Sequence, residues 1–294
     1  MNRLVTHTSP DPDAYLGLAV AKLIRFKGVK VEIFFVNAND PLDGLDEGDV
    51  AVDIEAGGRG FKGIRSGDGK TVHSAFAQIV ERFATPEDQE ALAPFVAYVD
   101  ACDTYGSAID RLAPDLSPDI REVINEGSVL ASVREWQHRF GHNIRGNLLV
   151  LEKVEELLLD KLEAGRRRLH AERQADKQVI LDGGRVAVVI NAPSANDVLF
   201  RRGVRAIVWK DGKSMGVSRE RREKFRVNHP ELQAFVTGID GVPWFDEREY
   251  LLSWGTKKAR PDTHSKVDPE ELARRVDKLI VQHDAAVELR PPHG

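Results

Sequence analysis

The first half of the chain alternates apolar runs that are typical of strands with a segment that has the spacing of a helix. Residues 3–6, 29–37 and 49–54 read as strands, the second of them as a buried strand. Apolar residues recur at helical spacing over residues 14–26, and Gly28 ends that helix. Strand, helix and strand joined by short connections predict a mainly parallel sheet that is covered by helices.

A long amphipathic helix, predicted at residues 147–178, separates this half from a second α/β segment. Such a helix joins two domains or forms a partner-binding coiled coil, and its short length disfavours the coiled coil. The second segment predicts strands and helices at residues 185–190, 194–201, 206–209, 215–217 and 268–282. The predicted fold class is therefore α/β: a mainly parallel sheet in an N-terminal domain at 1–145, a long connecting helix at 146–180, and a smaller α/β C-terminal domain at 181–294.

Composition narrows the classes of protein that this chain can represent. With 42 Lys and Arg against 47 Asp and Glu, the net charge of −5 argues against a surface that coats nucleic acid everywhere, but allows a local basic groove. The single cysteine, Cys102, excludes an intrachain disulfide and a Cys-rich zinc site, as expected for a reducing compartment. Because we find neither a membrane-spanning run nor a signal peptide, we expect a cytoplasmic protein that binds no membrane.

Two carboxylates and an imidazole crowd the loop between the first strand and the first helix. His7, Asp11 and Asp13 lie there, at the edge of an open parallel sheet where ligands bind. Crowded carboxylates repel one another unless a positive charge lies between them, and imidazole with carboxylates suits Mn, Zn or Fe better than Ca. The alternatives are ordinary: Asp13 as the N-cap before Ala14, Asp11 as a turn cap, and His7 as a hydrogen-bonded buried histidine.

Two further acids follow apolar runs. Asp53 ends the third predicted strand, and Asp100 ends the run at residues 95–99, which we interpret as another strand after a helix at 74–83. An Asp at such a position is also a common turn residue. Three strand ends that present acids to one edge nevertheless favour a metal cluster, which would polarise a phosphoryl oxygen and lower the pKa of a bound water.

The spacing of these residues resembles motifs one, two and four of the DHH phosphoesterase superfamily: His7-x3-Asp11-x-Asp13, Asp53 and Asp100. The resemblance implies a metal-binding α/β domain, a connecting helix and a C-terminal substrate-binding domain of the DHHA1 type. It also implies a two-manganese site that hydrolyses phosphoesters of nucleotides, oligonucleotides or polyphosphate. The metal ligands that it implies are His7, Asp11, Asp13, Asp53 and Asp100, with Asp53 as the bridge.

The segment at residues 243–260 is similar to the MYG1-like branch of that superfamily more than to the exopolyphosphatases. The chain departs from the family, however, because no Asp-His-His sequence occurs in it. Asp68 or His73 could take over part of the missing catalytic role. Alternatively, Arg65 or Lys70 could place a positive charge where a cation would otherwise lie, so one ion, two ions or none are all compatible with the sequence.

A basic segment at residues 218–226 is the other notable cluster. Its two glutamates favour a solvated charged face. The functional interpretation is a phosphate clamp at Arg219 and Arg222, because arginine offers paired donors to phosphate. Arg65 is a third candidate for substrate binding.

Two functions from different classes follow. The first is a metal-dependent phosphoesterase that uses one or two Mn²⁺ ions, or Mg²⁺, on a phosphate-containing small molecule or a short oligonucleotide. The second is a degenerate member of the same fold that binds a nucleotide or phosphate without turnover. A structural subunit without ligand and a homodimer are both left open.

Overall fold

A computed structural model of the chain describes residues 2–37, 45–58, 60–65, 71–109, 113–245, 251–254 and 264–288. The chain divides into two compact units, residues 1–168 and 169–294, and the division falls inside a long helix. The three-part division at residues 145 and 180 stays a prediction. No described helix is long and apolar enough to cross a membrane.

A parallel sheet forms the centre of the first unit, which confirms the α/β class. Its strands are β1 (Asn2–His7), β2 (Val31–Val36) and β3 (Val50–Ala51), in the order β2-β1-β3. Both pairings are parallel, and Leu4 of β1 lies opposite Ile33 on one side and Val50 on the other. The carboxyl ends of β1 and β3 therefore lie side by side.

The first helix packs tightly behind that sheet edge. Helix α1 (Pro12–Val20) begins after Asp11 and continues into a π-helical turn (Ala21–Arg25), and all residues of α1 are buried. A Cβ added at Gly17 would lie 2.6 Å from Cγ1 of Val52, so only glycine allows this close approach. The predicted helix at 14–26 is confirmed, with a start two residues earlier.

Two strands differ from their predictions. β2 is the edge strand of the described sheet, not a buried one: its residues alternate in burial, and Phe34 is 42% exposed. The exposed positions, Glu32 and Phe34, alternate with partly buried ones, so one face of β2 is more open to solvent than the other. β3 is shorter than the predicted strand at 49–54, and Val52 continues it by a parallel bridge to Phe61.

The apolar run at residues 95–99 is helical, so its interpretation as a strand is wrong. It lies within α3 (Pro86–Tyr105), which Thr85 caps and which ends at Gly106. A short apolar run cannot be assigned to strand or helix by its hydrophobicity alone. Asp100 is therefore a helix residue and not a strand end. Helix α2 (Ala75–Phe83), capped by Ser74, confirms the helix predicted there.

The first unit also contains a 3-10 helical turn (Ala56–Gly58), a short antiparallel pair and three further α-helices among its described residues. The pair is β4 (Ile64–Arg65) with β5 (Thr71–His73). The helices are α4 (Pro118–Glu126), α5 (Val129–Phe140) and α6 (Ile144–Ala175). α6 confirms the predicted long helix, and it approaches α3 so closely that a Cβ at Gly165 would lie 2.2 Å from the Ala91 carbonyl oxygen.

The second unit contains a six-stranded sheet in the order β10-β11-β9-β8-β7-β6. The strands are β6 (Val179–Ile180), β7 (Val186–Ile190), β8 (Ala206–Asp211), β9 (Ser214–Arg219), β10 (Trp244–Phe245) and β11 (Leu251–Trp254). Within it, β7 and β8 pair in parallel, and the other described pairs are antiparallel.

Helices cover both faces of this second sheet. Val186, Val188 and Val208 pack on one face with α8 (Pro230–Asp240) and α9 (Pro269–Glu288). Ala187, Val189 and Ile207 pack on the other face with α7 (Asn196–Arg201) and the end of α6. The strands and helices predicted for this part of the chain are confirmed, with shifts of a few residues at their ends.

Candidate metal centre

His7 and Asp53 are in contact at the carboxyl edge of the parallel sheet. His7 ends β1 and Asp53 follows β3, and His7 Nε2 lies 3.1 Å from Asp53 Oδ2 although the residues are 46 apart in sequence. Their side chains are 18% and 22% exposed. Neighbouring parallel strands bring the two side chains together, because their carboxyl ends meet at the same edge.

The backbone at Asp53 adopts an uncommon conformation. Its φ is +53°, in the left-handed region that few non-glycine residues enter, although Asp does so more readily than most. The Asp53 N–H donates to the Phe61 carbonyl at 2.6 Å, and the Val52 N–H donates to the Val5 carbonyl at 2.8 Å. These bonds fix the turn that carries Asp53, and such conformations concentrate at functional sites.

Asp11 adds its charge to this pair. It is the N-cap of α1, and its Oδ1 accepts a hydrogen bond from the Ala14 N–H at 2.9 Å. Burial raises the pKa of Asp11, and the negative charge of Asp53 raises it further. The hydrogen bond to Asp53 raises the pKa of His7 against the opposing effect of burial, and the charge of Asp11 adds to that rise. The three side chains therefore share one electrostatic environment.

Asp13 is buried and binds the start of another helix. Its Oδ2 accepts from the Ala75 N–H at 2.9 Å and its Oδ1 from the Phe76 N–H at 3.0 Å, both at the start of α2. Burial raises the pKa of Asp13 to about 7, although the hydrogen bond from Phe76 opposes that rise. The N-cap of α1 is Asp11, so the alternative of Asp13 as N-cap is wrong.

Asp100, a residue of α3, also contacts the start of α2. Its Oδ1 accepts from the Ser74 N–H at 3.0 Å, and its Oδ2 lies 3.8 Å from His73 Nδ1. His73 also lies 3.2 Å from Glu81, measured from Nε2 to Oε2. The structure thus divides the predicted ligands into two groups: His7, Asp53 and Asp11 at the sheet edge, and Asp13 and Asp100 on consecutive amides at the start of α2.

A buried amide that the sequence interpretation missed connects Thr8, in the loop before α1, to Tyr15 of α1. Asn147 of α6 donates from Nδ2 to the Thr8 carbonyl at 3.1 Å, and its Oδ1 accepts from the Tyr15 hydroxyl at 2.9 Å. Asn147 is 2% exposed. A single polar residue at the start of a helical pattern gives no local signal of a contact 139 residues away.

The side chains at the sheet edge are of the types that bind a divalent cation, although they are not arranged around one position. Imidazole and carboxylate oxygen are ligands that first-row divalent cations accept, and His7, Asp53 and Asp11 supply them. Among the described residues, no group of three or more His, Cys, Asp or Glu side chains is close enough to hold a metal ion together. Asp13 and Asp100 would have to exchange their amide partners in α2 to become ligands.

The remaining predicted site residues lie elsewhere. Asp68 lies outside the described residues, and so does the side chain of Arg65. In the second unit, Arg219 ends β9, and its guanidinium donates to the Phe225 carbonyl and lies 6.0 Å from the centre of the Phe225 ring. Arg219 lines a cavity of about 580 Å³. Arg222 is exposed, and its N–H donates to Glu220 Oε2 at 2.6 Å.

No model of a known protein family matches the chain, and no curated protein matches it by sequence. Among solved structures, it is similar to RecJ from Thermus thermophilus in complex with Mg²⁺, at 13% identity and a TM-score of 0.27 over 97% of this chain and 50% of that one. It therefore spans about half the length of that RecJ. A structure of exonuclease RecJ bound to manganese gives 13% identity, a TM-score of 0.27 and coverage of 99% and 91%.

An exopolyphosphatase-related protein from Bacteroides fragilis is also similar, at 10% identity and a TM-score of 0.25 over 98% of this chain and 93% of that one.

Proposed function

We propose that the chain is a metal-dependent phosphoesterase, which hydrolyses a phosphoester bond of a nucleotide, an oligonucleotide or a related phosphate. The contact between His7 and Asp53 carries this proposal. It joins an imidazole and a carboxylate at the edge of an α/β sheet where ligands bind, and Asp11 adds a second negative charge to the same environment. The neighbouring carboxylates of Asp53 and Asp11 attract a cation.

His7, Asp53 and Asp11 would hold one divalent cation, Mn²⁺ or Mg²⁺. When bound, the cation supplies a Lewis acid that polarises a phosphoryl oxygen and lowers the pKa of water. The chain's own groups position these ligands. The turn at Asp53 aims its carboxylate at His7, and Asn147 holds the loop at Thr8.

His73 and Asp68 are the proposed catalytic residues in place of the absent Asp-His-His sequence. His73 Nε2 lies within hydrogen-bond distance of Glu81 Oε2, at 3.2 Å, and His73 Nδ1 lies 3.8 Å from Asp100 Oδ2, so the carboxylate of Glu81 can orient the ring. Asp13 and Asp100 are proposed ligands of a second ion, which they would bind in exchange for the α2 amides. Arg65 in the first unit and, separately, Arg219 and Arg222 in the second unit are proposed as phosphate ligands, because arginine offers paired donors.

The test is hydrolysis of bis-p-nitrophenyl phosphate by the full chain with added Mn²⁺. We expect Asp53→Asn to lower the rate by about 100-fold, because one charge of the cation site is lost. The matched control is Asp160→Asn, an exposed carboxylate on α6 that is remote in sequence from the site, and it should keep the full rate. Equal rates in the parent protein and Asp53→Asn would overturn the assignment.

A second candidate function is binding of a nucleotide or phosphate without turnover. The observation that favours it is the engagement of Asp13 and Asp100 with three consecutive amides at the start of α2, which occupies both oxygens of Asp13 and one oxygen of Asp100. Calorimetry with a nucleotide distinguishes the candidates. Saturable binding with no product after prolonged incubation with Mn²⁺ supports binding alone, and turnover excludes it.

A further inference from the structure

Thr6 is a buried polar residue between the strand that carries His7 and the strand that leads to Asp53. It directly precedes His7 in β1 and is 0% exposed. Its Oγ1 donates a hydrogen bond to the Val52 carbonyl at 2.9 Å. The neighbouring backbone bond, from the Val52 N–H to the Val5 carbonyl, is 2.8 Å long. Because Thr6 is buried, water cannot replace its hydrogen bond, so the hydroxyl connects the two strands where both end.

The Val52 carbonyl and the Asp53 N–H belong to one rigid peptide plane. The carbonyl end of this plane accepts from Thr6, and the N–H end donates to the Phe61 carbonyl at 2.6 Å. The plane is therefore held at both ends. The contact at Phe61 comes from the backbone, whereas the contact at Thr6 comes from a side chain that a substitution can change.

The held plane directly precedes a strained residue. Asp53 has a φ of +53°, and a non-glycine residue keeps such a value only where surrounding contacts enforce it. The hydrogen bonds of Thr6 and Phe61 are two such contacts. Loss of one would let the turn relax by rotation about the Asp53 N–Cα bond, and this rotation moves the carboxylate relative to His7.

We propose that Thr6 is a positioning residue of the candidate metal centre. Its hydroxyl holds the end of β3, so that the Asp53 carboxylate meets the His7 imidazole at 3.1 Å. The hydroxyl acts through the peptide between Val52 and Asp53 and binds no cation itself. The consequence for cation affinity rests on the proposed function, whereas the effect on the turn does not.

Two substitutions separate the hydroxyl from the volume of the side chain. Thr6→Val keeps the shape and removes the donor, whereas Thr6→Ser keeps the donor and removes a methyl group. We expect both to lower the melting temperature by about 2–5 °C, because one loses a buried hydrogen bond and the other leaves a small cavity. The matched control is Val154→Ala, which creates a cavity at a fully buried position of α6.

The first measurement is electron paramagnetic resonance of Mn²⁺ titrated into the full chain. Thr6→Val should weaken Mn²⁺ binding about tenfold, as loss of a residue that orients a ligand does. Thr6→Ser and Val154→Ala should bind Mn²⁺ within about threefold of the parent protein. Affinity then follows the hydroxyl and not the stability of the fold, a pattern that a merely structural role does not produce.

The second measurement is amide hydrogen exchange in EDTA, which needs no metal. The Asp53 N–H should exchange about tenfold faster in Thr6→Val than in Thr6→Ser, because its peptide plane has lost one of two contacts. The rate is taken relative to the Leu151 amide in α6, so that a change in global stability cancels. If Thr6→Val does not fold, Thr6→Cys provides the comparison, since a thiol is a weak donor.

Two results would overturn the inference. One is equal relative exchange of the Asp53 amide in Thr6→Val and Thr6→Ser. The other is Mn²⁺ binding by the parent protein that is unchanged in Thr6→Val, which would leave the phosphoesterase proposal intact. A parent protein that binds no Mn²⁺, but whose Asp53 amide exchanges faster without the hydroxyl, would contradict the phosphoesterase proposal and support the role of Thr6 in the turn.

Discussion

Asp13 and Asp100 bind consecutive backbone amides at the start of one helix. Asp100 accepts from Ser74, and Asp13 accepts from Ala75 and Phe76. The first amides of a helix have no partner within the helix, and its N-terminus carries partial positive charge, so two carboxylates there satisfy both needs. This arrangement connects the first turn of α1 and helix α3 to the start of α2.

Removal of the Asp13 carboxylate should destabilise the first unit strongly. Asp13→Ala leaves the amides of Ala75 and Phe76 buried without an acceptor, and we expect a loss of about 2–4 kcal/mol in the free energy of unfolding. Urea denaturation measures this change. The exposed Asp160→Ala should change stability by less than about 0.5 kcal/mol, and a similar small value for Asp13→Ala would show that the helix start does not need the carboxylate.

The contributions of Asn147 and Tyr15 to the free energy of unfolding should be coupled. Asn147→Ala removes the acceptor of the Tyr15 hydroxyl and the donor to Thr8, so we expect a loss of about 2–3 kcal/mol. Tyr15→Phe should cost about 1 kcal/mol. Because the residues share one hydrogen bond, the double variant should cost less than the sum by about 0.5 kcal/mol or more, as measured by a urea double-mutant cycle. Strict additivity would contradict the shared bond.

The prediction of secondary structure succeeded where the hydrophobic pattern was clear over a whole segment. The helix at α6 and the strand pair β7 and β8 have clear patterns, and so has the alternation from β1 to β3. It failed at residues 95–99, because five apolar residues fit a helix as well as a strand. The two-residue β3 was predicted too long because the left-handed backbone at Asp53, which ends the extended segment, leaves no mark on the local hydrophobic pattern.

The candidate site was predictable in part. His7 ends one strand and Asp53 follows the neighbouring strand, and the carboxyl ends of the two strands meet, so their approach follows from topology. The role of Asp13 was not predictable, since its partners are amides 62 and 63 residues later in the chain.

Acid should remove one electrostatic contribution to the stability of the second unit. The hydrogen bond from Arg205 holds the pKa of Asp284 below its usual value against the opposing effect of burial. A carboxyl whose folded pKa is lowered stabilises the fold above its unfolded pKa of about 3.9 and loses that contribution as pH falls through the folded value. Asp284→Asn should therefore be less stable than the parent protein at pH 7, by less than about 1 kcal/mol for so exposed a pair.

The difference in the free energy of unfolding between Asp284→Asn and the parent protein should shrink as pH falls below about 4. It should vanish below the pKa that Asp284 has in the folded protein. Urea midpoints over a pH series measure it. A difference that stays constant with pH would mean that the substitution acts through packing and not through charge.

The most direct measurement for the metal centre is electron paramagnetic resonance of Mn²⁺ titrated into the full chain, since free and bound ions differ in signal. The parent protein and Asp160→Asn should bind at least one ion with the same affinity. His7→Gln and Asp53→Asn should each weaken that binding by about tenfold or more. Undiminished Mn²⁺ binding in both of these variants would contradict the assignment of the cation to the edge where His7 meets Asp53.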